Sequence, residues 1–412
     1  MGIKIEKLNT ELPVYDLTVE GNHNFYANDI LVHNCIEIVQ YTDEETTAIC
    51  TLSSMILKNF IINGKFDYQL LYNEVRKVVK ALNVVIDKNY YSTEKGKKGG
   101  LEQRAIGIGA QGLADVFMIL DLVFTSDEAR DVNKKIFETI YFAALSESNS
   151  LCKTGKQKPY AFFEGSPISK GQFQFNLWGL KDEELSGLWD FDSLRKDIIE
   201  YGVCNSLVTA AMPTASSARL TNSYEMFEVI TNNIFSRRVK GGEFLIINKY
   251  LVEDLDKIGL WSEEIKNEII INEGYLSKVN FNKFLDSEDK HYKKKLERVQ
   301  FLIEKHKTIW ETKQKDLISM AADRGPFIDQ SQSMNIYMEN PTVAKLTSSH
   351  FYAWRSGLKT LCYYVRTKAI STGAKHLGID MSAAKQPEVH KVEEVIPQKP
   401  ENSPFECFGC SA

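Results

Sequence analysis

Hydrophobic and polar positions change their rhythm near residue 35. Before it the chain reads as short β-elements. Pro13-Val14-Tyr15-Asp16-Leu17-Thr18-Val19 alternates, His23 to Asp29 is a polar turn, and Ile30-Leu31-Val32 is a short strand leading into His33-Asn34-Cys35. After it the periods lengthen to helical spacing. Asp67 is placed to cap a helix whose apolar stripe is Leu71, Val75, Val78, Leu82 and Val85. Thr125 and Glu128 form a capping box ahead of Val132, Ile136, Ile140 and Ala144. Apolar runs at Leu207–Met212 and Phe244–Ile247 suit buried strands between such helices, and this alternation predicts an α/β domain with a covered sheet or barrel.

Residues 262–316 are rich in Lys and Glu and predict solvated helices around a local insertion, with Lys293-Lys294-Lys295 a wet helix face. From about Gln386 the chain carries Pro387, Pro397, Pro400 and Pro404 with few large apolar residues, the pattern of a mobile tail. Three segments follow: 1–34, 35–385 and 386–412.

Composition narrows the classes. The 412 residues carry 50 Lys+Arg against 55 Asp+Glu, a net charge of −5, so no basic groove for nucleic acid is expected. No apolar run reaches the ~18 residues of a membrane span, and no signal-peptide core opens the chain. Seven cysteines are too few and odd in number for a disulfide scaffold, which makes a reducing cytoplasm the expected setting. Gly107 to Gly112 satisfies G-x-G-x-x-G, but Lys- and Glu-rich sequence precedes it, so a dinucleotide site is rejected. Cys152, Cys204 and Cys362 lie in no motif and read as packing.

The first chemistry lies at His33-Asn34-Cys35. An Asn side-chain amide can attack its own carbonyl and break the peptide bond to Cys35. A neighbouring His can protonate the leaving amine, and a Cys thiolate can accept an acyl group. The triplet closes the run V-Y-D-L-T-V-E-G-N-H-N-F-Y-A-N-D-I-L-V-H-N-C, Val14 to Cys35, which resembles the C-terminal splicing motifs of inteins. The resemblance implies Asp16 and His23 as the motif's acid and histidine, His33 as the assisting group, Asn34 as the cyclising residue and Cys35 as the first extein residue. Residues 1–34 are then expected to be a short all-β C-terminal split-intein fragment that joins its N-terminal half in trans.

Cys35-Ile36-Glu37 places a thiol and a carboxylate on one side of an extended segment, and Cys50 follows in A-I-C-T-L-S. These resemble the large (α) subunit of class I ribonucleotide reductase. The match continues through R-A-I-G-I-G-A-Q-G-L-A-D (104–115), E-G-S-P-I-S-K-G (164–171), M-P-T-A-S-S (212–217), R-R-V-K-G-G-E-F (237–244), R-G-P-F-I-D-Q-S-Q-S-M-N (324–335) and L-K-T-L-C-Y-Y-V-R-T (358–367). The implied fold is the C-terminal part of a ten-stranded α/β barrel.

The implied roles follow residue by residue. Cys35 carries the thiyl radical, Glu37 is the base at the substrate 3′-hydroxyl, and Cys50 is one of two reducing cysteines. Pro213, Thr214, Ala215, Ser216 and Ser217 hold the substrate diphosphate. Tyr363 and Tyr364 relay the radical, and Cys407 and Cys410 re-reduce the site from the tail. No metal or cofactor is expected on this chain. The resemblance implies that a metal-containing small (β) subunit supplies the radical, that thioredoxin or glutaredoxin reduces the tail, and that nucleotide effectors bind the N-terminal portion. A ribonucleoside diphosphate is the implied substrate, and a homodimer forms after splicing. The competing readings are a functional split intein carrying a non-catalytic extein and a cobalamin- or glycyl-dependent radical enzyme. Tyr363-Tyr364 argues against the latter.

Overall fold

A computed structural model describes residues 24–27, 30–33, 36–239 and 242–368. Asp16, His23, Asn34, Cys35, Cys407 and Cys410 therefore lie outside the described residues, as does the tail from Gln386. In the order of the chain, β1 (Asn24–Ala27) and β2 (Ile30–His33) form an antiparallel hairpin with Asn24 opposite His33. Beyond this hairpin, an all-β intein fragment is not shown.

After β3 (Leu52–Ile56), helix α1 (Tyr68–Lys88) starts where Asp67 accepts the Leu70 N–H at 2.8 Å, as its sequence predicts. Its buried face runs through Leu71, Val75, Val79, Leu82 and Ile86. Val78 is only partly buried and Val85 is exposed, because spacings of four residues carry the stripe one position beyond the expected one. Helix α2 (Glu94–Gln103) precedes β4 (Gly107–Gln111) and α3 (Leu113–Ile119). The long α4 (Asp127–Lys153) packs along α1 and is capped by Ser126, which accepts the Ala129 N–H at 3.2 Å. The expected Thr125 cap is thus displaced by one residue to the neighbouring hydroxyl.

The core of the molecule is an arc of parallel chain. β3 pairs with β4 from Leu52↔Gly107 to Ile56↔Gln111. Residues 207–212 run beside β4 through the Ile108↔Thr209 bridge, and Ala211↔Gln332 adds residues 330–333. Farther along, the short strand Ile336–Tyr337 continues this last segment. The regular sheets each hold two strands among the described residues, so the α/β architecture is met with less extensive sheets than a ten-stranded barrel implies.

β4 is buried at all five positions. A Cβ on Gly107 would meet Leu52 Cδ2 at 2.5 Å, and one on Gly109 would meet the Ala210 carbonyl oxygen at 2.5 Å. The G-x-G sequence is therefore the close-packed strand itself and not a phosphate-binding turn. Gly109→Ala is expected to cost ~1–3 kcal/mol by overpacking against an immovable backbone, measured as a lowered urea midpoint with unchanged m.

After helix α5 (Ala215–Leu220), β5 (Ile234–Val239) and β6 (Gly242–Ile247) form an antiparallel hairpin. This corrects the buried-strand expectation for Phe244–Ile247, since Phe244 is 53% exposed and the pairing is local. Helices α6 (Lys249–Lys257), α7 (Glu263–Ile271) and α8 (Tyr292–Lys305) close over a second hydrophobic cluster that includes Leu251, Leu255, Ile265, Ile269, Val299 and Leu302. The Lys/Glu-rich region is thus a lobe with its own core, wet only on its outer face. Helix α9 (Gln314–Arg324), β7 (Ile336–Tyr337), α10 (Val343–Arg355) and β8 (Val365–Arg366) complete the described chain, with β7 and β8 parallel.

Candidate functional site

The segment after Cys35 is tied to the inner chain of the arc. The Glu37 carbonyl accepts the Ser331 N–H at 2.9 Å, and the Ile36 N–H reaches Ser333 Oγ at 3.4 Å. The Glu37 side chain is 1% exposed, and Ser333 Oγ donates to its carboxylate. Such burial fixes the carboxylate at one place. Cys50 lies close enough to feel that carboxylate. Partial desolvation first, and the Glu37 charge second, push its thiol above the ordinary range. Cys50 is a free thiol and exposed.

The next residues of the same segment hold the tyrosines. Tyr363 N–H donates to the Met334 carbonyl at 2.7 Å, and Ile336 N–H donates to the Tyr364 carbonyl at 2.8 Å. Both tyrosines are buried, their ring centroids are 3.8 Å apart, and Tyr364 Oη donates to Tyr363 Oη at 2.8 Å. Ser333 and Met334 are adjacent, so one short segment anchors both Glu37 and the tyrosine pair.

Pro213 and Thr214 form the turn between the 207–212 segment and α5, and Ala215 to Ser217 are the first residues of that helix. Thr214 is buried and its Oγ1 accepts the Met226 N–H at 2.7 Å, while Ala215, Ser216 and Ser217 are exposed. No side chain caps the first turn of α5, which leaves N–H groups facing outward in the way an anion requires. Ser217 Oγ donates to Gln111 Oε1 at 2.8 Å, and Gln111 Nε2 donates to Thr221 Oγ1 at 2.8 Å and Ser223 Oγ at 3.1 Å.

Several supporting residues carried no role in the sequence reading. Asp329 accepts the Val208 and Thr209 N–H groups at 2.7 and 2.9 Å, clamping the two neighbouring segments, and burial raises its carboxyl. Lys359 Nζ donates to the carbonyls of Ile328 at 3.1 Å, Gln330 at 2.7 Å and Asp329, and burial lowers its ammonium to about 8. Glu228 accepts the Asn335 N–H at 2.7 Å and Tyr337 Oη at 2.8 Å. Only a dense polar run, Asp329 to Asn335, inside an otherwise apolar region signals these groups in the sequence. No group of three or more His, Cys, Asp or Glu side chains suited to a metal occurs among the described residues.

The model of the ribonucleotide reductase barrel domain matches residues 13–364. This chain belongs to the ribonucleotide reductase large-subunit family. It is 41% identical over 376 residues to the ribonucleoside-diphosphate reductase large subunit of Caenorhabditis elegans, covering 91% of this chain and 45% of that protein. Identity is 44% over 356 residues with the large subunit of Acanthamoeba polyphaga mimivirus, 85% of this chain and 38% of that one. With the monkeypox virus large subunit it is 45% over 337 residues, 82% and 41%.

The chain thus spans less than half the length of these relatives. The Actinobacillus ureae class Id ribonucleotide reductase alpha subunit shares the fold at TM-score 0.58 and 23% identity, over 81% of this chain and 53% of that one. The comparisons carry the reductase part of the reading. The splicing segment rests on its sequence motif alone, and the barrel-domain match itself begins at residue 13, inside that segment.

Proposed function

We propose that this chain is the C-terminal portion of a class I ribonucleoside-diphosphate reductase large subunit, matured by protein trans-splicing at Asn34–Cys35. One observation supports the reductase chemistry above others. A single strand segment holds buried Glu37 on Ser333 and the hydrogen-bonded Tyr363–Tyr364 pair on Met334. In this reading a radical arriving through the tyrosines passes to Cys35, two residues before the carboxylate in the sequence.

In this reading a metal-containing small subunit supplies the radical, and the Cys35 thiyl abstracts the ribose 3′-hydrogen. Glu37 takes the 3′-hydroxyl proton as water leaves C2′. Cys50 and a partner cysteine from the preceding portion give two electrons and close as a disulfide. Pro213 to Ser217, the turn into α5 and its first residues, hold the diphosphate, with the N–H groups at the start of α5 facing it. Cys407 and Cys410 reduce the disulfide by exchange and are themselves reduced by thioredoxin or glutaredoxin in the cytoplasm. The joined protein works as a homodimer, and effector nucleotides bind its preceding portion. No helix among the described residues is long and apolar enough to cross a membrane.

The splicing reading is supported by the Val14–Cys35 motif. The preceding segment is transferred as an acyl group to the Cys35 thiol. Asn34 cyclises to a succinimide with His33 protonating the Cys35 amine, and the released amine takes the acyl group into a peptide bond. Asp16 and His23 assist as the motif's acid and histidine. The test is intact-mass analysis after mixing this chain with its N-terminal half under reducing conditions. The expected product lacks residues 1–34 and carries a native bond at Cys35, and Asn34→Ala stops it. A bound partner with no ligation overturns the splicing step.

A further inference from the structure

Cys152 and Cys204 are 52 positions apart and share no motif, yet the fold brings them together. Cys152 sits one residue before the end of α4, half-buried, and Ser148 lies one turn earlier on the same face. Cys204 is fully buried. Its N–H donates to the Ser148 carbonyl at 3.4 Å, and its Sγ lies 3.5 Å from Ser148 Oγ. The Ser148 carbonyl that the Cys204 N–H reaches lies one helical turn before Cys152, so the two cysteines are neighbours at the end of α4.

The two thiols are unequal: the neighbouring Cys204 and burial raise the Cys152 thiol. The neighbouring Cys152, the Ser148 hydroxyl and the charge of Arg104 lower the Cys204 thiol despite burial. Asn205 Oδ1 also lies 3.2 Å from Cys204 Sγ. Cys152 is the member of the pair that solvent can reach.

We propose that Cys152 and Cys204 form a reversible disulfide, a redox-modification site separate from the thiols of the reductase chemistry. The oxidant is a low-molecular-weight disulfide such as glutathione disulfide. The Cys152 sulfur attacks it and releases one glutathione, and the Cys204 thiolate then attacks Cys152 Sγ and releases the second. Two protein thiols lose two electrons and two protons, and one glutathione disulfide becomes two glutathiones.

The bond would staple the end of α4 to the chain entering the 207–212 segment. Asn205, next to Cys204, already anchors that entry: its Nδ2 donates to the Arg104 carbonyl at 2.7 Å, and its N–H donates to Ser148 Oγ at 3.0 Å. Because 207–212 leads into Pro213–Ser217, the staple couples redox state to the rigidity of that turn. It rests on the fold alone and stands whether or not splicing occurs.

The test is differential alkylation and tryptic mapping of the full chain across graded ratios of reduced to oxidised glutathione. The expected product is a crosslink between peptides 136–153 and 197–219, lighter by two hydrogens than the sum of the free peptides. Dithiothreitol reverses it, and Cys152→Ala lacks it. Oxidation is also expected to raise Tm in the wild type and not in Cys152→Ala. Full alkylation of both thiols at ratios that oxidise the Cys407/Cys410 pair overturns the proposal, as does a glutathione adduct on Cys152 that never resolves.

Discussion

Replacing Glu37 by Gln is expected to lower deoxyribonucleotide formation by the joined protein ~10²–10⁴-fold, the usual loss when a positioned general base is removed. Joining at Asn34–Cys35 is expected to proceed normally, because Glu37 lies beyond the groups that perform it. The substitution keeps the shape of the side chain, and its amide oxygen can still accept the Ser333 hydroxyl. A second readout needs no turnover. The Glu37 charge helps to hold the Cys50 thiol above its ordinary range, so neutralising residue 37 lowers the Cys50 pKa. The pH profile of Cys50 alkylation should move to lower pH in Glu37→Gln. An unchanged turnover rate would remove Glu37 from the chemistry, and an unchanged alkylation profile would separate it from Cys50.

The largest stability effect is expected at Lys305→Met, a loss of ~3–5 kcal/mol in urea unfolding. Lys305 is 1% exposed in its side chain, and its Nζ bonds Asp254 Oδ2 at 2.6 Å and Asp121 Oδ1 at 2.7 Å. Asp254 is 5% exposed and has His306 Nε2 at 2.9 Å as its other buried partner. Removing the ammonium leaves the Asp254 carboxylate with His306 as its one close buried partner and with Lys257 and Arg298 only at 3.4 and 3.8 Å. This cluster joins α8 to α6 and to the turn after α3, so the effect falls between the second lobe and the main core.

The pH dependence gives the sign. Burial works to raise the Asp254 carboxyl, but hydrogen bonds from His306 and Lys305 outweigh it and hold the group well below the usual range. A depressed carboxyl contributes stability above its unfolded pKa of ~4, and that stability is lost as pH falls through the folded value. The difference between wild type and Lys305→Met is therefore expected to be full at pH 7 and to shrink in acid. A difference that is independent of pH would show that the methionine acts through packing alone. His306 adds to acid sensitivity: burial holds it below its ordinary value, so protonation below ~6.5 favours the unfolded chain.

Local signals in the sequence carried well where one residue decides the outcome. Asp67 caps α1 because a short carboxylate at that position can reach a free N–H and no tertiary contact competes. The Thr125 cap moved to Ser126 because adjacent hydroxyls differ only in which one the incoming chain turns toward the helix. The α1 stripe drifted to Val79 and Ile86 because Val78-Val79 and Val85-Ile86 are equally apolar, and only the packing partner, α4, chooses between them.

Non-local features were legible only through the family motifs, or not at all. Tyr363 and Glu37 are 326 positions apart in sequence and are each tied to residues 331–336 by hydrogen bonds of backbone to backbone, to which side-chain patterns are blind. The run Phe244–Ile247 suggests a buried strand because an apolar run does not reveal whether its partner is distant or the next strand along. Cys152 and Cys204 read as packing because spacing carries no information about a contact made by tertiary folding.

The most direct measurement is reduction of a ribonucleoside diphosphate by the joined protein, assayed with a class I small subunit and a dithiol reductant. The account predicts one deoxyribonucleoside diphosphate formed per dithiol oxidised, with none formed by Cys35→Ser introduced into an already joined chain. Correctly joined, folded protein that binds the small subunit and yields no deoxyribonucleotide, or a Cys35→Ser protein that still does, would contradict it.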